Sequence, residues 1–348
     1  MSLQEVHRLR LFDDATTDVE RRLYYVRSGE LGIEPRADRQ LMEQLKTGPR
    51  PQRVQVVGPS GAGKTSLIVR VLADLETEKL DPGYEVLILR IGERPEHLES
   101  GEKMIKLVLD TIASQRFRFS NVDPNVFEEA AADRVTQSPT RINHDFGLDG
   151  KIANYTTHVE EAFKTLEFGA NPARLHQDLE DVIGMVAEGG YRPVLVVDDT
   201  EKFVAPGQNG ELDDSSVANL YHHGVRVLGD FELDLVIAMH PRFGEVPHVQ
   251  EVSERLAIDQ IAVPQLTPES EPAPIKKILE RRLERGGVEV EVGEVISPEA
   301  IGDLQLLYHE RESDLRSVLK IAHAAAEHAL SRDSGVLEAR DLRAVVAR

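Results

Sequence analysis

Short apolar runs alternate with amphipathic stretches through most of this chain. The runs are rich in β-branched residues and too short for buried helices, which predicts strands at residues 53–57, 84–91, 193–197 and 233–239. Apolar residues at helical spacing separate them and predict helices at residues 36–46, 66–75, 99–114 and 175–188. Strands that alternate with helices favour an α/β fold with a doubly wound parallel sheet.

The last part of the chain is helical throughout. An acidic, proline-containing stretch at residues 269–274 resembles a hinge, and helical patterns follow at residues 275–285, 298–309, 313–331 and from 338. The pattern is weak at residues 116–170, where Asp149–Gly150 has the chemistry of a hairpin turn. We therefore predict an N-terminal extension (1–35), an α/β core (36–267) with an insertion at 116–170, and a small helical domain (268–348).

Composition narrows the class of protein. The 348 residues suffice for two domains, and the absence of cysteine excludes disulfides and cysteine-bound metals. No signal peptide or long apolar segment is evident, so we expect a soluble, cytoplasmic protein. A formal net charge of −20 argues against a surface dominated by nucleic-acid contacts, although it permits a local basic groove.

One glycine-rich segment indicates phosphate binding. Residues 58–65 match the pattern GxxxxGK[ST] at every fixed position and lie between a predicted strand and a predicted helix. Backbone N–H groups of such a loop point at phosphate oxygens, and the helix dipole favours the negative charge. The binding residues are predicted to be Gly58, Pro59, Ser60, Gly61, Ala62, Gly63, Lys64, Thr65 and Ser66, with Lys64 on the β- and γ-phosphates and Thr65 on Mg²⁺.

A second apolar run, at residues 193–197, ends in two acids. In a phosphate-loop fold this strand lies beside the strand of the loop, so its carboxyl end faces the same site. Asp198 is predicted to hold Mg²⁺, and Asp199 to orient or deprotonate the attacking water. The structural alternative is an acidic turn after a core strand.

This ordered set of strand, glycine loop, acidic strand end and C-terminal helices resembles the AAA+ ATPases. Within them it resembles the origin-recognition-like initiators and related bacterial ATPases, over about residues 36–348. The resemblance implies ATP and Mg²⁺ bound between the α/β core and a helical lid. It also implies assembly with neighbouring subunits.

The resemblance assigns roles to three further residues. A polar residue that senses the γ-phosphate ends the next strand in this family, which nominates His240. An arginine ahead of a short strand reaches the neighbouring subunit's ATP, which nominates Arg255, with Arg242 as its competitor. A lid-helix arginine touches the bound phosphate, which nominates Arg316.

Two departures from the family pattern bear on function. Most members carry glutamate where this chain has Asp199, and a carboxylate displaced by about 1 Å can cost on the order of 10²-fold in rate. Slow hydrolysis, suited to a switch, is therefore expected. Initiators of this type also continue into a winged-helix domain, which we do not expect in this sequence because it ends at Arg348.

Partners are less sharply indicated. We expect a homo-oligomer in ATP that acts on a protein partner or a co-encoded effector, with DNA open as a partner and no membrane. Arg116 and Arg118, interleaved with phenylalanines, and the stripe Lys277, Arg281 and Arg285 could touch phosphate, but a strand edge and a solvated helix face are favoured. The alternatives are a ring-free signalling NTPase with Arg242 or Arg316 in cis, a DNA-binding module stabilised by ATP, and a small-molecule phosphotransferase.

Overall fold

The computed structural model describes residues 3–13, 18–33, 36–47, 51–77, 85–90, 100–114, 172–198, 200, 214–266, 274–311 and 314–347. The predicted insertion with its Asp149–Gly150 turn, the arginine–phenylalanine segment at 115–119 and Asp199 lie outside the described residues.

Five parallel strands form one sheet in the spatial order β2-β3-β4-β1-β5. The strands are β1 (Arg53–Val57), β2 (Glu85–Arg90), β3 (Tyr191–Val197), β4 (Asp234–Met239) and β5 (Asp259–Ala262). Val57 at the end of β1 lies opposite Met239 of β4 and Ala262 of β5. The segments that follow these strands therefore leave the sheet along one edge, where parallel α/β sheets bind their ligands.

Both faces of the sheet are buried. Along β3, Val194 and Val196 belong to the hydrophobic cluster on one face, and Leu195 and Val197 to the cluster on the other. This alternation follows from the two-residue period of a strand, and it explains why β3 is apolar throughout.

Helices cover the two faces. They are α4 (Ala37–Thr47), α5 (Lys64–Thr77), α6 (Gly101–Ser114), α7 (Pro172–Glu188) and α8 (Asp214–Asn219), a π-helical stretch (Leu220–Val225), α9 (Arg226–Leu228), a 3₁₀ turn (Pro241–Glu245) and α10 (Pro247–Arg255). The predicted fold class is confirmed. The helical segment from α8 to α9 and the helices at the start of the chain were not predicted.

The C-terminal helices form a separate cluster. They are α11 (Pro274–Arg285), α12 (Val292–Val295), α13 (Pro298–Glu310), α14 (Leu315–Ser331) and α15 (Ala339–Val346), and their apolar faces pack on one another. Side chains cap the start of three of these helices. Ser297 accepts from the Ala300 amide, Asp314 accepts from the Ser317 amide at 3.1 Å, and Glu338 and Asp341 form a capping box at α15. Among the described helices, none combines the length and apolar character that a membrane crossing requires.

The N-terminal extension packs with this helical lid. It contains the helices α1 (Leu3–Arg8), α2 (Asp18–Tyr24) and α3 (Ser28–Leu31), and its buried apolar residues share the lid's hydrophobic cluster. Arg282 of α11 donates to the backbone carbonyls of Leu11 and Asp13. The extension and the lid therefore form one packed body, although they lie at opposite ends of the sequence.

Candidate nucleotide-binding site

The glycine-rich loop leaves the carboxyl end of β1 and enters α5. Gly58 donates its N–H to the carbonyl of Met239 at 3.1 Å, which ties the start of the loop to the end of β4. Gly61 and Gly63 have φ angles of +73° and +94°, in the left-handed region that favours glycine. Helix α5 then begins at Lys64, so its N-terminal amides lie at the loop.

Lys64 is folded into this loop. Its Nζ donates to the carbonyl oxygens of Gly58 at 2.8 Å and Pro59 at 2.9 Å, and the residue is only 7% exposed. A phosphate oxygen is a stronger acceptor for an ammonium than a neutral carbonyl. The ammonium is thus held at the loop by partners that a phosphate can replace.

Thr65 and Asp198 meet beside the loop. The Thr65 hydroxyl donates to Oδ1 of Asp198 at 2.9 Å, across 133 residues of sequence. Asp198 follows β3 directly and is 4% exposed. Magnesium is commonly held by one or two protein oxygens together with substrate phosphates and water, and this pair supplies such oxygens. No group of three or more histidine or acidic side chains suited to a metal exists within the residues that the structure describes.

His240 follows β4 at the same edge of the sheet. Its Nδ1 accepts the backbone N–H of Arg242 at 3.3 Å and so caps the 3₁₀ turn. This bond fixes the ring at the strand end beside the loop. The structure thus shows a capping role for His240, and its role as a phosphate sensor stays a prediction.

Arg255 and Arg242 lie on the surface, at the end of α10 and in the 3₁₀ turn. Arg255 makes no ion pair or side-chain hydrogen bond within the described part of the chain. An exposed guanidinium of this kind can reach another molecule without first breaking an internal bond.

Arg316 lies beside the glycine loop of its own chain. A Cβ placed on Gly61 would lie 3.3 Å from the Cβ of Arg316 and 1.7 Å from Oδ1 of Asp314. The first turn of α14 therefore packs directly on the phosphate loop. The same Asp314 carboxylate caps α14 through the amide and the hydroxyl of Ser317.

A cavity of about 100 Å³ lies between the extension, the loop and the lid, and it was not predicted from the sequence. It is mostly apolar, and its lining includes Tyr24, Tyr25, Ile33, Ala62, Gly63, Val263, Leu266, Ile278 and Leu315. Arg282 lies over the ring of Tyr24, 4.8 Å from its centroid. Burial raises the pKa of Tyr24, Glu20 raises it further, and Arg282 lowers it.

The basic stripe on α11 serves internal contacts. Lys277 donates to the carbonyl of Glu30 at 2.6 Å, and Arg281 pairs with the Glu30 carboxylate. These two side chains join α11 to the extension. The favoured prediction of a solvated helix face is therefore wrong for Lys277 and Arg281, since both bind a neighbouring element.

No protein-family model matches this chain, and no curated protein is recognisably similar to it in sequence. Solved structures are similar in fold. The Aeropyrum pernix ORC1 protein in complex with DNA superposes with a TM-score of 0.54 at 18% identity, over 98% of this chain and 68% of that one. Drosophila ORC bound to DNA gives 0.53 at 14% identity, over 99% and 65%.

The Aeropyrum pernix ORC2 protein in its ADPNP–ADP complexes gives a TM-score of 0.54 at 14% identity, over 97% of this chain and 71% of that one. The chain thus spans about two thirds of the length of these neighbours. At such identities the likeness concerns the fold. This chain has the fold of the origin-recognition-like AAA+ ATPases, as the resemblance in its sequence implied.

Proposed function

We propose that this chain is an AAA+-type ATPase that acts as a nucleotide-dependent switch or loader. The observation that carries this proposal is the bond from Thr65 to Asp198 beside the glycine loop. It combines a phosphate cradle with two oxygens suited to magnesium, on elements far apart in sequence. Magnesium bound there would neutralise charge on the β- and γ-phosphates.

The base of the nucleotide would lie at the cavity beside the loop, which at about 100 Å³ has to open further to hold base and ribose together. Its apolar lining and the Tyr24 ring suit a flat heterocycle, and Ala62 and Gly63 connect it to the phosphate site. Because the lining comes from the extension, the core and the lid, a bound nucleotide would contact all three. This is the arrangement that a switch requires, since the ligand then biases how these parts sit together.

Arg316 and Asp314 support a role of the lid in sensing phosphate. Both lie against the glycine loop at the start of α14. A guanidinium at this position can bind the γ-phosphate of the same chain's nucleotide, and the neighbouring carboxylate would be repelled by it. The presence of the γ-phosphate would therefore change the contact between loop and lid.

Hydrolysis is proposed to be slow. Asp199 follows the metal-binding Asp198 and is assigned the water-orienting role, with a side chain one methylene shorter than the family's usual glutamate. A misplaced base still permits turnover but lowers the rate, by about 10²-fold for a displacement of about 1 Å. A long-lived ATP state suits a protein whose output is assembly.

Arg255 is proposed to act on the nucleotide of a neighbouring subunit, and its exposure supports this. Homo-oligomers would then form in ATP, because each site is completed by the next subunit. The macromolecule on which they act is a protein or DNA. Two of the structural neighbours are bound to DNA, whereas the net charge of −20 favours a protein here.

One observation favours a second candidate. Arg316 lies on the loop of its own chain, so it could stabilise charge in cis, in a ring-free signalling NTPase. The two candidates differ in whether turnover needs a neighbouring subunit.

Mixing two inactive variants separates these candidates. Arg255→Ala should bind ATP but lose turnover, by on the order of 10³-fold if it acts as an arginine finger. Lys64→Ala should fail to bind ATP. A mixture of the two should regain activity, because the intact loop of one subunit meets the intact arginine of the other.

Absence of recovery, together with a monomeric mass in saturating ATP, would contradict the shared site and favour the ring-free NTPase. Asp198→Asn is the matched test of the metal site. It should weaken ATP binding in magnesium and change binding little in EDTA, as measured by calorimetry. Turnover with and without added duplex DNA identifies the class of partner.

A further inference from the structure

A glutamine is buried in the middle of the strand that carries the phosphate loop. Gln55 of β1 is 0% exposed, between the buried apolar residues Val54 and Val56. A buried amide is costly unless its hydrogens and its oxygen are bonded. Its partners therefore explain its presence.

Gln55 uses its donors and its acceptor. Nε2 donates to the Tyr221 hydroxyl at 3.0 Å and to the Ser253 hydroxyl at 2.9 Å, while Oε1 accepts from Nε2 of Gln260 at 3.0 Å. The Tyr221 hydroxyl donates in turn to the sulfur of Met239 at 3.1 Å. Burial raises the pKa of Tyr221, so its phenol keeps the proton that it donates.

Three residues of this cluster are close in sequence to parts of the proposed site: the glycine loop, His240 and Arg255. Gln55 precedes the first glycine of the loop by three residues, Met239 immediately precedes His240, and Ser253 is two residues before Arg255 on α10. Tyr221 lies in the π-helical stretch that packs on α10. Such stretches are rare and are often found at functional sites.

Stability alone does not account for this polar cluster. Replacing a set of mutually bonded polar groups by apolar groups of the same shape is often neutral or stabilising. Directional bonds fix the orientation of an element, which apolar contacts do with less precision. The element whose orientation matters here is α10, because it ends in an arginine that must reach another molecule.

We propose that Gln55 is a positioning residue for Arg255. It fixes α10 to the strand that carries the phosphate loop, so that the guanidinium is presented to the neighbouring subunit's nucleotide. This inference rests on the proposed function for its catalytic consequence. Its structural part, the attachment of α10 to β1, is tested independently.

The structural part is tested by amide hydrogen exchange without nucleotide. Gln55→Leu removes the cluster's centre, and Ser253→Ala removes the bond on the α10 side alone, in case the first variant folds poorly. Gln305→Leu is the matched control, because Gln305 is also buried but bonds the Ile275 amide inside the lid. Amides of residues 251–256 should exchange faster in Gln55→Leu and Ser253→Ala than in the wild type. Their exchange should be unchanged in Gln305→Leu. Unchanged exchange in both Gln55→Leu and Ser253→Ala overturns the inference.

The catalytic part is tested by complementation. Gln55→Leu should keep its affinity for ATP and lose turnover by on the order of 10²-fold, as expected for a misplacement of about 1 Å. Mixed with Lys64→Ala it should recover activity, because the Lys64→Ala subunit supplies a correctly placed arginine. Mixed with Arg255→Ala it should stay inactive, because neither subunit does.

The opposite result, recovery with Arg255→Ala and none with Lys64→Ala, means that Gln55 serves the loop of its own subunit and overturns the inference. The failure of the proposed function looks different. In that case Arg255→Ala alone keeps the wild-type rate, whatever hydrogen exchange shows for α10.

Discussion

The strands of the sheet begin along one edge, the amino edge, and end along the other, the carboxyl edge. Both edges hold buried charged side chains, but the partners of these side chains differ. At the amino edge, Arg192 of β3 pairs with Asp234 of β4, and both side chains are almost fully buried. Asp234 also accepts a hydrogen bond from the backbone N–H of Gln52 at 2.7 Å. At the carboxyl edge, Lys64 donates to two carbonyls and Asp198 accepts a hydroxyl.

The difference teaches how a ligand site is recognised. Opposite charges that meet directly satisfy one another, and a ligand gains little by separating them. Neutral oxygens, such as the carbonyls that Lys64 contacts, are weaker partners for a charge than a phosphate oxygen, so a phosphate can replace them. Burial of a charge is common to both edges, and the partners that the structure shows differ in chemistry: an opposite charge at the amino edge and neutral oxygens at the proposed phosphate site.

The largest effect on the free energy of unfolding is expected for a substitution at the amino edge. Asp234→Asn leaves Arg192 buried without its counter-charge, which should lower the free energy of unfolding by about 3–5 kcal/mol. ATP affinity of the folded protein should stay unchanged, because this pair lies at the far end of the strands. Urea unfolding and calorimetry measure the two quantities.

The double variant Arg192→Met/Asp234→Leu is the control, since it removes both charges and should recover most of the lost stability. A large loss of ATP affinity in Asp234→Asn, under conditions where the protein is folded, would contradict the separation of the two edges.

Lys64→Ala should have the opposite result, a loss of ATP affinity with little change in stability. ATP affinity should fall by about 10- to 10²-fold for each phosphate hydrogen bond lost, since a hydrogen bond to a charged group is worth about 1.5–3 kcal/mol. The free energy of unfolding without ATP should change by less than about 1 kcal/mol, because lost bonds and relieved burial of charge offset one another. Lys106→Ala removes a lysine paired with Asp110 on α6 and should leave ATP affinity unchanged.

The sequence predicted those parts of the site that depend on local pattern. Strand β1, the glycine loop and α5 follow one another within residues 53–77, and a period of two or 3.6 residues identifies them. The carboxyl end of β3 could be placed because parallel strands deliver their ends to the same edge. Local pattern and a general rule of topology were sufficient there.

Contacts between distant segments could not be read in this way. Gln55 and Tyr221 are 166 residues apart, and Arg282 and Leu11 are 271 apart. A glutamine within an apolar run looks like an imperfect strand, since nothing local names its partner. The extension carries short helices that pack on the lid and on α5 of the core, so its role in the cavity depends on tertiary packing.

A smaller effect on stability is expected for a substitution at the contact between the lid and the glycine loop. Gly61→Ala combines a φ of +73° with a collision against the Asp314 carboxylate, which must then release the cap of α14. The strain is about 1–2 kcal/mol and the lost cap about 1 kcal/mol. Hydrogen exchange should accelerate in the first turn of α14.

Gly63→Ala is the matched control for this contact. Its φ of +94° imposes similar strain, but a Cβ there meets nothing within 4 Å. It should lower stability without loosening α14. Equal exchange of α14 in the two variants would show that Asp314 does not link lid and loop.

The smallest effect on stability is expected for a half-buried pair of histidines, which has neither opposite charges nor the partners of the proposed ligand site. His7 of α1 stacks on His323 of α14 with ring centroids 4.5 Å apart and planes at 7°. Nε2 of His7 and Nδ1 of His323 are buried, and the structure gives neither atom a hydrogen-bond partner. This contact joins the extension to the lid.

Burial lowers the pKa of His323, as do His7 and Arg10, while Asp13 and Glu327 raise it less than the others lower it. Because the pKa in the folded state is below the ordinary value of 6.5, the unfolded chain binds the proton more readily. Stability from this contact is therefore complete above about pH 6.5 and declines as the pH falls below it. Acidification should loosen α1 from the lid.

Urea unfolding between about pH 7.5 and pH 5.5 should show this decline in stability, and His323→Phe, which keeps a ring but cannot titrate, should flatten it. His248→Phe, at an exposed position on α10, should keep the wild-type slope. If His323→Phe keeps that slope as well, the acid sensitivity of the fold arises elsewhere and the stacked pair is only a packing contact.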